Sequence, residues 1–173
     1  GFGATALVSI RLGEQKKPEA EQVLGNALVL LVAVAVLLTT VGLVFLDPIL
    51  RLFGASEEVL PLARDYLRII VLGSVIQCVA FGLNAVIRGE GNPRIAMVTM
   101  LIGALLNTIL DPIFLFAFGW GMPGAAAATV MAQAVSAIWV LGHFLSGRSV
   151  LTLHARNLRL RWPVCTSIVT IGS

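Results

Sequence analysis

The stretch Val23–Leu46, VLGNALVLLVAVAVLLTTVGLVFL, decides the fold class of this chain. It contains no charged side chain. It is also longer than the roughly 20 apolar residues that cross a hydrocarbon core about 30 Å thick. This pattern predicts a transmembrane segment.

Other long apolar stretches surround this one. Complete spans are predicted at Leu60–Ile87, Ile95–Phe118 and Gly124–Leu145, one partial helix runs to about Ile10, and another begins near Trp162. In a bilayer, only helices and closed barrels satisfy the hydrogen-bonding groups of the backbone. Long uninterrupted runs are typical of helices, whereas barrel strands alternate over about ten residues. We therefore expect an all-α, polytopic transmembrane helix bundle.

The composition excludes an ordinary soluble domain. Of the 173 residues, 58% are hydrophobic and 12% are charged, whereas soluble domains carry about 25% charged residues. The formal charge of +3 comes from cations in the connections between spans, as is usual in membrane proteins. We therefore expect no nucleic-acid partner.

The cations alternate along the chain. The first, third and fifth connections between helices hold nine of the twelve Lys and Arg residues: Arg11, Lys16, Lys17; Arg88, Arg94; Arg148, Arg156, Arg159 and Arg161. The positive-inside rule predicts that these odd-numbered connections face the cytoplasm. The sequence thus indicates a multi-pass protein of the cell membrane (inner or plasma membrane).

The fifth connection differs from the others because it is long, polar and basic. It indicates a surface linker between two bundles. We expect three parts: a helical lobe at 1–147, a linker at 148–161, and the start of another helix at 162–173. The chain begins at Gly1 and ends at Ser173 inside apolar stretches, which favours a piece of a longer protein.

One acidic residue lies well inside a predicted span. Of nine acidic residues, Asp111 alone is placed deep within Ile95–Phe118, where a carboxylate costs about 2.5–3.5 kcal/mol on insertion scales and usually serves function. Asn107 lies one turn earlier on the same helix face. Pro112 removes the amide that would bond the Thr108 carbonyl. Oxygen-rich, negatively charged sites suit a hard cation or a proton.

The next helix supplies a second wall. The small residues of 124–128 allow close helix packing, and Thr129, Gln133 and Ser136 then share one face. A short hairpin puts Thr129 at a depth similar to that of Asp111. An alternative is that Asn107, Asp111 and Thr129 only join helices by hydrogen bonds, at about 0.6 kcal/mol each. That role fits Thr129 by itself but does not require a carboxylate.

Two further amides, Gln77 and Asn84, lie seven residues apart on one helix face. They fit either helix packing or the lining of a substrate cavity. The sequence shows no nucleophile beside a base, no Cys/His metal set and no glycine-rich phosphate loop. We therefore expect no enzymatic activity, no catalytic residue and no organic cofactor.

Four motifs resemble a known family. They are Leu-Phe-Gly-Ala-Ser at 52–56 followed by Tyr66-Leu67, Gly-Asn-Pro-Arg at 91–94, Leu-Asn-Thr-Ile-Leu-Asp-Pro-Ile-Phe at 106–114, and Gly-Ala-Ala-Ala-Ala-Thr at 124–129. In order and spacing they are similar to the multidrug and toxic compound extrusion (MATE) transporters. The resemblance covers essentially the whole chain.

The resemblance implies a twelve-helix transporter with two six-helix lobes around a central cavity, joined by a cytoplasmic linker, and monomeric when complete. This chain would be the second through sixth helices, the linker and the start of the seventh. Asn107 and Asp111 match the fifth-helix residues of the amino-lobe cation site, and Thr129 matches its sixth-helix residue. Asn84 matches a cavity-lining amide, and we expect Gln133 and Gln77 in the same substrate cavity.

The implied function is antiport, in which sodium ions or protons exchange for small organic, often cationic, drugs and toxic compounds. Sodium at Asp111, Asn107 and Thr129 is the one metal that the resemblance implies. The first-helix Asp that completes the site, and the acids of the second lobe, lie outside this chain. The choice of coupling ion is therefore open. The alternative is a lipid-linked oligosaccharide flippase of the same superfamily, which usually needs a cationic cavity. No Lys or Arg lies mid-membrane here, which favours the exporter.

Overall fold

The computed structural model describes residues 2–173, which form a bundle of helices. The helices are α1 (Phe2–Gly13), α2 (Lys17–Val44), α3 (Leu46–Leu52), α4 (Leu60–Gly89), α5 (Pro93–Pro112), α6 (Gly121–Leu145) and α7 (Trp162–Gly172). A π-helical turn (Ile113–Ala117) extends α5, and a 3-10 turn (Ala155–Leu158) precedes α7. Within residues 2–173, four helices are long and apolar enough to cross a membrane: α2, α4, α5 with its extension, and α6. The predicted all-α transmembrane bundle is confirmed.

Proline marks the start of α2, α4, α5 and α7. The first or second helical position is occupied by Pro18, Pro61, Pro93 and Pro163, respectively. A backbone amide at these positions has no hydrogen-bond partner inside the helix, so proline, which lacks that amide, costs no hydrogen bond there. For this reason α2 begins at Lys17, one turn and a half before the apolar stretch that predicted it. Apolar runs report the hydrocarbon core and miss the polar first turns.

The short helix α3 was not predicted. It follows α2 after a break at Phe45 and buries Leu46 and Leu50 against the bundle. Its seven residues are too few to leave a helical period in the sequence. The residues around Asp47 were therefore treated as part of a connection.

Helix α4 lies at the centre of the bundle and packs against α1, α2, α3, α5 and α6. Two glycines let it do so. A Cβ atom on Gly73 would collide with Val130 of α6, and one on Gly82 would collide with Leu31 of α2. Close packing of this kind drives helix association in lipid, because the hydrophobic effect does not bring apolar helices together there.

The connection at 148–161 packs against the lobe. Leu151 is fully buried in the core. The backbone amide and hydroxyl of Thr152 donate to Glu21 Oε1 at 3.2 and 2.9 Å, and the Arg161 amide donates to Asn26 Oδ1 at 2.7 Å. Most residues of this connection are exposed, and its hydrogen bonds to α2 fix its path.

Glu90 makes a second attachment of this connection, beside the end of α4. Its Oε2 accepts a 2.5 Å hydrogen bond from Ser149 Oγ, and the carboxylate also accepts from the Val150 amide. Its Oε1 is buried and has no hydrogen-bond partner among residues 2–173. Burial raises the pKa of Glu90 to about 7, although both hydrogen bonds act to lower it.

This raised pKa predicts a pH dependence. Between about pH 4.5 and 7 the folded protein holds a proton at Glu90 that the unfolded chain releases, so Glu90 makes stability fall as pH rises through this window. We expect Glu90→Gln to remove that part of the pH dependence of the melting temperature in detergent, measured at both ends of the window.

Glu14→Gln is the matched control. The pKa of Glu14 is lowered by its hydrogen bond to Arg11, so it titrates below the window. If Glu90→Gln kept the whole wild-type pH dependence, the raised pKa would be wrong.

Candidate functional site

Asn107 connects the carboxylate of Asp111 with the hydroxyl group of Thr129 in the candidate site. Its Nδ2 donates to Asp111 Oδ1 at 3.3 Å and to Thr129 Oγ1 at 3.2 Å. All three side chains are half-buried. The structure therefore brings together the three residues that spacing and resemblance selected, across the α5–α6 hairpin.

The hydrogen bonds leave oxygen atoms free at this point. Thr129 donates its own proton to the Ala125 carbonyl at 3.0 Å, so its oxygen acts only as an acceptor toward Asn107. The second carboxylate oxygen of Asp111 receives no hydrogen bond from residues 2–173. An amide rotated by half a turn presents its carbonyl oxygen where its NH₂ group was. The cluster can thus offer carboxylate, amide and hydroxyl oxygens to one hard cation.

Directly after Asp111, the regular helix ends. Pro112 has no amide to donate, and the chain continues as the π-helical turn Ile113–Ala117. Single π-helical turns within helices are frequent at functional sites. The sequence predicted the loss of an amide at Pro112 but gave no sign of the π-helical geometry, because a proline is equally compatible with a kink.

An aromatic group closes the hairpin and sets the depth of its two arms. The rings of Phe114, Phe118 and Trp120 pack with centroids 5.4 to 5.5 Å apart. Gly124 lies against them, and a Cβ atom there would meet the Phe114 carbonyl oxygen at 2.8 Å and Trp120 Cβ at 2.9 Å. This close approach holds the start of α6 beside the end of α5, which places Thr129 opposite Asn107.

A pocket of about 250 Å³ adjoins the cluster, between α4, α5 and α6. Its lining residues are Ala80, Phe81, Asn84, Thr99, Met100, Gly103, Ala104, Asn107, Thr129, Gln133 and Ser136. Asn84 is only 2% exposed and donates to the Ala96 carbonyl at 2.8 Å. Its Oδ1 is buried and receives no hydrogen bond from residues 2–173.

The structure separates the three predicted cavity residues. Asn84 and Gln133 line the pocket, whereas Gln77 is exposed and does not line it. The shared helix face is compatible with both positions because Gln77 lies about 10 Å further along the α4 axis. A shared helix face specifies the direction in which two side chains point, but it does not specify their depth in the membrane.

Sequence reasoning missed Thr99 and Gly103, although a signal was present. Thr99, Gly103, Asn107 and Asp111 recur every fourth residue and form one stripe along α5. Three of these four residues line the pocket, and Asp111 adjoins it through its hydrogen bond with Asn107. The glycine in this stripe leaves room for Ser136 of α6, whose Oγ a Cβ atom on Gly103 would meet at 2.6 Å.

Comparison with known proteins identifies the family. Residues 1–113, more than half of the chain, match the family model described as MatE. The chain belongs to the MatE family. The matched range includes Asn107 and Asp111 and ends before Thr129. Membership confirms the resemblance on which the site was predicted and makes the chain part of a multi-pass membrane protein.

Curated and solved members of the family cover nearly the whole chain. Multidrug export protein MepA of Staphylococcus aureus (strain MRSA252) is 28% identical over 172 residues, which are 99% of this chain and 38% of MepA. The chain therefore spans about 38% of the length of that relative.

Two solved structures of a multidrug resistance MATE family transporter of the MOP superfamily are each 29% identical to this chain. The inward-facing structure matches with a TM-score of 0.93 over 99% of this chain and 39% of its own. The outward-facing structure matches with a TM-score of 0.90 over 97% and 38%.

Replacing Asn107 separates an ion site from simple helix packing. In the intact transporter, Asn107→Ala should remove two hydrogen bonds, worth about 0.6 kcal/mol each. At constant pH, it should also abolish the rise in melting temperature that we expect from sodium binding to the folded state at this cluster. Thr108→Ala is the control, because Thr108 is exposed and bonds only the Ala104 carbonyl of its own helix. A small loss of stability with the full ion response retained would show that the cluster only joins helices.

Proposed function

We propose that this chain forms the amino-terminal lobe of a monomeric antiporter that exports small organic, often cationic, compounds in exchange for sodium or protons. Residues 1–147 would form the lobe, 148–161 the cytoplasmic connection to the second lobe, and 162–173 the start of that lobe. The observation that carries the proposal is the Asp111–Asn107–Thr129 cluster beside a pocket whose lining includes amide and hydroxyl side chains. The related protein MepA is named a multidrug export protein, which supports export as the direction of transport.

The cluster provides a means of coupling. A carboxylate in an apolar span is stabilised by whichever cation binds it, a sodium ion, a proton or a positively charged substrate. These ligands exclude one another when they need the same oxygen atoms. A ligand shifts a conformational equilibrium only by its difference in affinity for the two states. Antiport follows if the coupling ion at Asp111 favours one arrangement of the lobes and the substrate favours the other.

The lobe is suited to move as one unit. Inward-facing and outward-facing relatives both match this chain, with TM-scores of 0.93 and 0.90. The backbone of the lobe therefore changes little between these two solved states. This similarity supports alternation by rotation of one lobe against the other, with Asp111 carried along in a lobe of constant shape.

The pocket lining favours organic cations over phosphorylated lipids. None of its lining residues is Lys or Arg, and Phe81 and Met100 add apolar surface to the amides. A flippase for lipid-linked oligosaccharides needs positive charge where the phosphates pass. The same absence of cations from the pocket makes it a favourable place for a positively charged substrate.

Substitution of Asp111 tests the proposal in the intact transporter. Asp111→Asn keeps the size of the side chain and removes its charge, so export of a labelled organic cation driven by a sodium or pH gradient should fall about tenfold or more, a coupling loss of about 1.4 kcal/mol. Uptake into inverted vesicles measures this, with each gradient imposed separately.

Asp65→Asn is the matched control, because it removes an exposed acid near the start of α4 and should leave export unchanged. Normal export by Asp111→Asn under both gradients would contradict the coupling role. Dependence on one gradient alone would identify the ion.

A further inference from the structure

A basic cavity of about 530 Å³ lies between α2 and the 148–161 connection, far from Asp111 in sequence. Its lining residues are Pro18, Glu21, Gln22, Asn26, His154, Arg156, Asn157, Arg159 and Arg161. Glu21 is the one carboxylate in this lining, and it is already held by Thr152 and His154. Three guanidinium groups therefore share a cavity that contains little negative charge.

These arginines have no acidic partner in the part of the chain that the structure describes. Within residues 2–173, no acidic side chain forms an ion pair with Arg156, Arg159 or Arg161. Arg161 Nη1 makes one long hydrogen bond to Gln22 Oε1, at 3.4 Å. Guanidinium groups bind phosphate oxygens in pairs of parallel hydrogen bonds. The cavity is thus suited to a phosphate group.

The backbone at the edge of this cavity separates cations from apolar side chains. Arg159 and Arg161 both have extended backbone angles, so successive side chains point in opposite directions. The two arginines line the cavity, whereas Leu158, Leu160 and Trp162 do not and are 37%, 56% and 82% exposed. Exposed Leu and Trp beside Arg are typical of a segment at the boundary between headgroups and acyl chains.

An amphipathic groove continues from the cavity into the apolar part of the bundle. A second depression of about 410 Å³ shares Gln22 and Arg161 with the first and runs between α1, α2 and α7. Leu7, Val23 and Val164 line it, together with Arg11 and Glu19, which form an ion pair at 3.3 Å. Deeper along the same three helices lies an apolar depression of about 190 Å³, lined by Ala4, Ala27, Leu30, Leu31, Val34 and Ile168. The surface thus changes from strongly basic to wholly apolar along one path.

We propose that this surface binds an anionic phospholipid, with its phosphate between Arg156, Arg159 and Arg161 and an acyl chain along the groove between α1, α2 and α7. The guanidinium groups select for negative charge, and the groove selects for a lipid over a free phosphate ion. Basic pockets beside transmembrane helices bind anionic headgroups in this way. The bound lipid would hold the connection that leads to α7 against α2. The site requires a membrane but does not require a cation at Asp111.

Lipid retention by the intact transporter tests the proposal. The protein is reconstituted in an equal mixture of phosphatidylglycerol and phosphatidylcholine, and the lipids it retains are measured by native mass spectrometry. We expect the wild type to retain phosphatidylglycerol preferentially, and Arg156→Gln/Arg159→Gln/Arg161→Gln to lose that preference. The matched control, Arg88→Gln/Arg94→Gln/Arg148→Gln, removes three exposed cations outside both depressions and should keep it.

A lysine triple covers the case in which the glutamine triple fails to fold. Arg156→Lys/Arg159→Lys/Arg161→Lys keeps the charge but loses paired hydrogen bonding, so retention should fall by several-fold. An unchanged preference in the triple that folds would overturn the proposal. Loss of the preference in the control triple would also overturn it, because the attraction would then be unspecific.

Two competitors distinguish a lipid from a free anion. Inorganic phosphate and glycerol phosphate carry the headgroup charge without an acyl chain, so neither should displace the bound lipid. Displacement by either would show an anion site and overturn the assignment to a lipid. A wild-type transporter that retains no phosphatidylglycerol would overturn it as well, since another segment of the transporter would then cover the groove.

Discussion

A peptide backbone within a hydrocarbon core has no water to bond, so each span must satisfy its own amides and carbonyls. This constraint makes α2, α4 and α6 continuous helices. It is relaxed at one place in the candidate site, where Pro112 contributes no amide and the chain passes into the π-helical turn Ile113–Ala117. The polar side chains of the site lie beside this irregularity. Irregular backbone in membrane proteins is tolerated where it is buried in protein or lines a cavity.

Tight packing around the irregular turn gives the site its geometry. The close approach at Gly124 holds the α5–α6 hairpin shut, and through it Asn107 reaches both Asp111 and Thr129. The Asn107 amide can present either a donor or an acceptor at the same point. Rotation of this amide requires no movement of either helix, which agrees with the similar shape of the lobe in inward-facing and outward-facing relatives.

Much of this arrangement could be predicted, because bilayer thickness and helical period act locally. Apolar runs predicted the spans, a four-residue spacing placed Asn107 beside Asp111, and a short hairpin placed Thr129 at a depth similar to that of Asp111. Depth and long-range contacts could not be obtained in this way. Gln77 shares a face with Asn84 yet lies outside the pocket, and the polarity of residues 148–161 gave no sign that Glu21 and Glu90 hold them to the lobe. Such contacts join residues far apart in sequence, and no local pattern records them.

The central claim is that the Asp111 carboxylate binds the coupling cation. Its most direct test is the stoichiometry of sodium binding to the purified intact transporter, with proton release recorded in the same titration, for the wild type and for Asp111→Asn. The account predicts that the substitution removes one sodium bound, or one proton exchanged, per molecule while the protein remains folded. Equal stoichiometry of both ions in the two proteins would contradict it.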